Sequence, residues 1–246
     1  MTHLRSLVFN GLFYAWTTLL ALAYLPLLFL PPRYIWAACR FWARSVFFLL
    51  RTIVGLDWRL EGRTHLPDGA ALIASKHQSA WDTLVFVLLL DRPVYILKQE
   101  LLQIPLFSTY LKHMGMIAID RRGAARTLRS LQQQARARLA EGRPVIIFPE
   151  GTRTRPGETR PYQPGVAALY KALEHEAPLV PAALNSGHFW GRRSFLKYPG
   201  CITLRILPPI PGGLSRNEVM AQLHESIEDA SRALADLPGQ NNTPSA

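Results

Sequence analysis

Six short apolar runs between residues 70 and 207 constrain this chain more than any other feature. They are Ala70–Ser75, Val94–Leu97, Met116–Ile119, Val145–Phe148, Leu179–Leu184 and Ile202–Leu207. Short runs of this kind, bounded by turn residues, read as buried strands. Helical segments are predicted among them, from Ser79 to about Leu90, Gly123 to Glu141, and about Val166 to Glu174. A further helix opens at Ser215 with Glu218 as a capping box and runs to about Leu234. Strands alternating with helices predict an α/β fold, a single domain with a mixed, largely parallel sheet flanked by helices. In open sheets of that kind, ligands bind where the chain leaves the carboxyl ends of the strands. His77, Lys98, Arg121 and the loop Glu150–Arg153 all follow such runs, so they are expected to converge in one cleft.

With 246 residues the chain has room for that domain and an appendage. Leu7 to Leu30 carries no charged residue, enough as a helix to cross about 30 Å of hydrocarbon, and Pro26 and Pro31-Pro32 mark a kink and a stop. Tyr34 to Leu56 is aromatic and leucine-rich but contains Arg40, Arg44 and Arg51, which fall within roughly 40° of one another on a helix. That stripe fits a helix lying at the headgroups. Residues 1–56 are therefore expected to form a hydrophobic helical hairpin seated in the membrane, either dipping into one leaflet or as one span plus a surface helix. A cleaved signal peptide ending near Ala21-Leu22-Ala23 is the competing reading. Asp57 to Asp68 reads as a polar entry closed by the turn Pro67-Asp68-Gly69, residues 57–237 as the α/β domain, and 238–246 as a disordered tail.

Twenty-eight basic against 17 acidic side chains leave a charge of +11, which implies anionic partners: lipid headgroups, phosphorylated substrates or nucleic acid. Arg126, Arg129, Arg136 and Arg138 are most simply a solvated helix face. Two cysteines, Cys39 and Cys201, supply neither a disulfide framework nor zinc spacing. No Gly-x-Ser-x-Gly elbow, Walker loop or Gly-x-Gly-x-x-Gly occurs, and the histidines lack metal-ligand spacing.

His77 and Asp82 are five residues apart, a rotation of about 140° in a continuous helix. They can meet only if His77 precedes the helix and Asp82 lies in its first turn. Asp82 could then orient His77 as a general base. Ser79 and Asp82 alternatively form a capping box, which accounts for the aspartate without chemistry. A His–Asp pair, several cations and a Gly-containing loop suit direct attack by a substrate hydroxyl, with no covalent enzyme intermediate.

Four stretches resemble, in order, the motifs of glycerolipid acyltransferases: His77-x-x-x-x-Asp82, Gly115-x-x-x-Ile119-Asp120-Arg121, Phe148-Pro149-Glu150-Gly151-Thr152-Arg153 and Val180-Pro181-Ala182. The resemblance covers roughly Leu60 to Pro211 and is nearest to bacterial members that acylate 1-acyl-sn-glycerol 3-phosphate. Lys76 stands where asparagine is common in that family, Ala118 where an aromatic is frequent, and Ala182 where valine is frequent. The resemblance implies acyl transfer from acyl-CoA or acyl-ACP (acyl carrier protein) to the sn-2 hydroxyl of lysophosphatidic acid, with the donor as a substrate and no cofactor or metal. His77 would be the base and Asp82 its partner. Lys98, Arg121 and Arg153 would bind the phosphate, and Glu150, Gly151 and Thr152 would shape the glycerol site. It also implies membrane lipids as partners, no nucleic acid, and a cell inner membrane location with the catalytic domain on the cytoplasmic face. Another acceptor, such as glycerol 3-phosphate, another lysophospholipid or a lyso-ornithine lipid, remains the alternative within the enzyme class. A basic, non-catalytic lipid- or nucleic-acid-binding module is the alternative outside it.

Overall fold

The structure, a computed structural model, describes residues 1–120 and 124–236. Arg121 and the tail from Pro238 lie outside the described residues. A seven-stranded sheet is built from β1 (Leu56–Glu61), β2 (Leu72–Ser75), β3 (Val94–Lys98), β4 (Ile117–Ile119), β5 (Val145–Ile147), β6 (Leu179–Leu184) and β7 (Gly200–Ile206). Their order is β1-β7-β6-β2-β5-β3-β4, with every pair parallel except β6 and β7. The expected mixed, largely parallel sheet is present, and β2 lies at its centre.

Both faces of β2 are covered, which is why its sequence shows no polar alternation. Leu72 and Ala74 join a core with Val145, Leu131, Val166 and Leu223. That face is closed by the helices α5 (Ala124–Ala140), α6 (Gly165–Leu173) and α7 (Arg216–Ala235). Ala71 and Ile73 face a second core with Trp81, Phe86, Leu50 and Ile202. Here the cover is α2 (Pro32–Leu49) and α3 (Trp81–Leu89). The capping box of α7 is formed as expected: Ser215 Oγ accepts from the Glu218 amide and Glu218 Oε2 from the Ser215 amide.

Two elements differ from the sequence reading. Leu56–Glu61, expected as a polar entry, is the edge strand β1, paired with β7 from Leu56↔Gly200 to Glu61↔Arg205. Its period-2 pattern puts Leu56, Trp58 and Leu60 against the core, while Asp57, Arg59 and Glu61 occupy the other face of an edge strand. The charges hid the alternation. Phe107–His113, outside the predicted elements, is a short helix, α4.

The N-terminal segment forms two helices, α1 (Thr2–Ala23) and α2, joined by a 3₁₀ turn over Leu25–Phe29 with Pro26 as its second residue. Trp16 Nε1 donates to Ser45 Oγ (2.7 Å) and Trp42 Nε1 to Thr17 Oγ1 (3.0 Å), clamping the pair. The pair shares the domain's core through Phe9, Val46, Leu50 and Val54. Of the three arginines expected in one stripe, Arg44 is exposed, Arg40 turns to Asp91 (2.8 Å) and Arg51 lies 3.3 Å from Asp57. α1 is apolar and long enough to cross a membrane, and it exposes Leu4, Leu7, Leu12, Leu19 and Leu22.

Candidate active site

β2 ends at Ser75, and the chain turns through Lys76–Ala80 before α3 begins. His77 therefore precedes the helix while Asp82 is its second residue, so the spacing conflict of a continuous helix does not arise. His77 Nδ1 lies 2.9 Å from Asp82 Oδ2. The same oxygen accepts the amides of Gln78 (2.6 Å) and Ser79 (2.8 Å), and Oδ1 accepts the hydroxyl of Ser186 (2.5 Å). Ser79 Oγ instead accepts from the Trp81 amide. The aspartate half of a capping box is thus present together with the histidine contact, and one carboxylate serves both. With Oδ2 acting as acceptor, Nδ1 carries the proton and Nε2 keeps its lone pair. The ring stacks on Phe148 at 3.8 Å and 18°. Burial pushes the imidazole below its ordinary pKa of 6.5; Arg153 adds to this, and the bond to Asp82 opposes it without prevailing. The ring is held neutral, as a base requires.

Behind the ring, the backbone of His77 is fixed by a buried polar cluster. Its amide donates to Glu150 Oε2 (2.8 Å), and its carbonyl accepts the Thr154 amide (2.8 Å) and hydroxyl (3.1 Å). Thr154 also donates to Glu150 Oε1. Lys76 Nζ lies 2.6 Å from Glu150 and 2.7 Å from Glu228 of α7, which also accepts from Tyr162. Lys76 is only 2% exposed. Burial raises the Glu150 pKa against the pull of Lys76.

In front of the ring lies a cavity of about 680 Å³ that runs between the sheet and the helices α1, α2, α3 and α4. Leu20, Trp42, Leu84, Val87, Leu111 and Met114 make its walls apolar. It is also lined by His77, Gly151, Thr152, Arg153, Lys98, Arg192 and Arg193, and Arg153 lies near enough for its charge to act on the His77 ring. Gly151 takes φ +68°, and its amide closes a turn on the Phe148 carbonyl, a conformation that favours glycine. Burial and Arg192 lower the Arg153 pKa while Asp82 raises it, and Arg153 Nε is buried without a hydrogen-bond partner.

Five of the eight residues singled out from sequence, His77, Lys98, Gly151, Thr152 and Arg153, line this cavity, and Asp82 stands directly behind His77. Glu150 reaches the site through the His77 backbone and lies off the cavity wall. Arg121 lies outside the described residues. Sequence reasoning missed Ser186, Glu228, Arg192 and Arg193, and it read Lys76 only as a departure from a pattern. Ser186 follows β6, the same strand-end position that flagged His77, and could have been found that way.

Residues 57–185 match a family model described as Acyltransferase. The chain belongs to this acyltransferase family. The acyltransferase is 33% identical over 187 residues to the 1-acyl-sn-glycerol-3-phosphate acyltransferase of Pseudomonas aeruginosa, covering 76% of this chain and 72% of that one. It is 29% identical over 182 residues to the human 1-acyl-sn-glycerol-3-phosphate acyltransferase alpha, covering 72% of this chain and 64% of that protein. It shares its fold with the solved 1-acyl-sn-glycerophosphate acyltransferase of Thermotoga maritima, at a TM-score of 0.78 and 23% identity over 96% of this chain and 99% of that one.

Proposed function

We propose that this acyltransferase moves an acyl group from acyl-CoA or acyl-ACP to the sn-2 hydroxyl of 1-acyl-sn-glycerol 3-phosphate, forming phosphatidic acid. The observation that carries the reading is a neutral His77, oriented by Asp82, at the cationic end of an apolar cavity. His77 Nε2 takes the hydroxyl proton as the oxygen attacks the thioester carbonyl. Collapse of the tetrahedral intermediate breaks the C–S bond, and the imidazolium returns the proton to the leaving sulfur. Arg153 and Lys98 hold the acceptor phosphate, the arginine through its bidentate fork. The apolar walls take an acyl chain, whose transfer out of water contributes about 0.8 kcal/mol per buried CH₂. The names of the relatives support the acceptor.

The apolar faces of α1 and α2 support membrane seating, with the domain on the cytoplasmic face of the inner membrane. An amphiphilic acceptor then reaches the cavity without leaving the lipid.

The test is an assay of the purified protein with radiolabelled lysophosphatidic acid and acyl-CoA or acyl-ACP donors of graded chain length. Glycerol 3-phosphate and a lyso-ornithine lipid serve as competing acceptors. Phosphatidic acid is the expected product, and His77→Ala makes none. A wild-type protein that acylates only another acceptor, or a His77→Ala protein that works at the wild-type rate, overturns the reading.

A further inference from the structure

We propose that Arg192 and Arg193 bind a phosphate of the pantetheine-bearing acyl donor, at a place separate from the acceptor phosphate at Arg153 and Lys98; this rests on the two-substrate reading above. Both arginines are exposed and line the same cavity as His77. Arg192 Nη1 donates to the Arg153 carbonyl at 3.1 Å, so three guanidinium-bearing residues are gathered at one mouth. No aspartate or glutamate among the described residues lines the cavity, and none of the three arginines is in an ion pair among the described residues. Asp82 acts on Arg153 through space, but no acid pairs with Arg192 or Arg193 among the described residues, and like charges gathered in this way disfavour one another until an anion arrives.

The segment that carries them is fastened. Arg193 takes φ +55°, a conformation that persists only where the surroundings impose it. The surroundings are α1 and the buried Lys197. Ser6 Oγ accepts the Lys197 amide (2.9 Å), Asn10 donates to the Phe195 carbonyl (2.9 Å), and Lys197 Nζ donates to the carbonyls of Ser194 (2.9 Å) and Phe195 (3.1 Å). The arginines are thus presented at the mouth by an ordered loop.

Charge balance separates the two anions. A phosphate monoester carries about two negative charges at most, and Arg153 with Lys98 already matches it. Two more cations at the mouth suit a second phosphate, one that stands off from the reacting carbonyl. The thioester of acyl-CoA and of acyl-ACP alike is joined to its phosphate by the pantetheine arm, so the reacting end can lie at His77 while the phosphate stays at the mouth.

The test uses the full-length protein and the double variant Arg192→Ala/Arg193→Ala, with Arg192→Lys/Arg193→Lys as the conservative control. Palmitoyl-CoA, palmitoyl-ACP, palmitoyl-dephospho-CoA, palmitoyl-phosphopantetheine and phosphate-free palmitoyl-pantetheine serve as donors. The alanine variant is expected to raise donor KM about tenfold or more for phosphate-bearing donors. Acceptor KM and kcat stay within about twofold, the lysine variant recovers part of the loss, and palmitoyl-pantetheine is used equally by both proteins. A loss shared by palmitoyl-phosphopantetheine assigns the site to the 4′-phosphate, and a loss confined to the CoA donors assigns it to the nucleotide phosphates. An unchanged donor KM, or an acceptor KM that rises as much as donor KM, overturns the proposal. Wild-type protein that transfers from none of these donors refutes the reading beneath it instead.

Discussion

The polar groups behind His77 and those in front of it are arranged in opposite ways. Behind the ring, Lys76 sits between Glu150 and Glu228; Thr154 and the His77 amide also donate to Glu150, and Tyr162 to Glu228. In front, Arg153 keeps a buried Nε without a hydrogen-bond partner, and Arg192 and Arg193 face the same cavity without an acid, among the described residues. A buried ion cluster gains little net stability over apolar packing, because desolvation offsets the Coulomb attraction. Its effect here is geometric: it pins the backbone around His77 to the loop after β5 and to α7. The guanidinium groups in front form no ion pair among the described residues, as the proposed anion sites require. One set fixes the His77 backbone, and the other is the set proposed to receive substrate.

The two sets should therefore fail differently, and His77, at the boundary, should show the largest effect. His77→Ala is expected to lower kcat by at least about 10²–10⁴-fold, the usual worth of a general base. Its unfolding midpoint should remain near wild type in a thermal melt, since the ring contributes packing on Phe148 and one side-chain hydrogen bond. Lys76→Met tests the cluster behind. Removing one partner of a buried pair costs about 3–5 kcal/mol, which for a chain of this size lowers Tm by roughly 6–20 °C. Lys76→Met/Glu228→Gln should recover part of that fall, because one stranded carboxylate is removed with the lysine. A Lys76→Met protein that melts like wild type would break the contrast between the two regions.

Arg153→Ala tests the front. A charge-assisted hydrogen bond contributes about 1.5–3 kcal/mol, so kcat/KM for the acceptor should fall by roughly 10–150-fold, mostly in KM. Loss of a partly buried, unpaired cation should leave Tm unchanged or slightly raised. A large Tm loss without a change in acceptor KM would show that Arg153 belongs with the structural set.

Whether each partner could be read from sequence follows the distance between residues along the chain. Asp82 was legible because it lies five residues from His77 and only one backbone path lets them meet. Ser186 completes the same carboxylate from 104 residues away, and Glu228 reaches Lys76 across 152. No local pattern records such pairs. Burial divided the strands in the same way. β2, β5 and β6 are apolar on both faces and stood out, whereas β1 alternates at the sheet edge and its charges passed for a loop. Within the arginine stripe, Arg40 meets Asp91, 51 residues away, a contact no local pattern could show.

Ser186→Ala is a finer probe of the boundary. It removes one hydrogen bond to Asp82 and leaves the Gln78 and Ser79 amides in place. A loss of about 0.5–1.5 kcal/mol should lower kcat roughly 2–10-fold with acceptor and donor KM unchanged. A rise in KM instead would move Ser186 from orienting the base to shaping the cavity.

The smallest effect to be measured is a displacement of the pH profile. Burial, the largest influence on His77, holds its pKa below 6.5, and Arg153 pushes in the same direction. The acid limb of kcat/KM should accordingly lie below pH 6.5, because the free enzyme keeps a neutral base until its lowered pKa is crossed. Arg153→Gln removes a positive charge that disfavours the imidazolium, so its acid limb should move upward. A downward move would mean that Arg153 acts on His77 through something other than its charge. No move at all, with acceptor KM raised, would mean that the cationic mouth and the base are electrostatically independent. Activity at low pH would then be set by the buried side of the site alone.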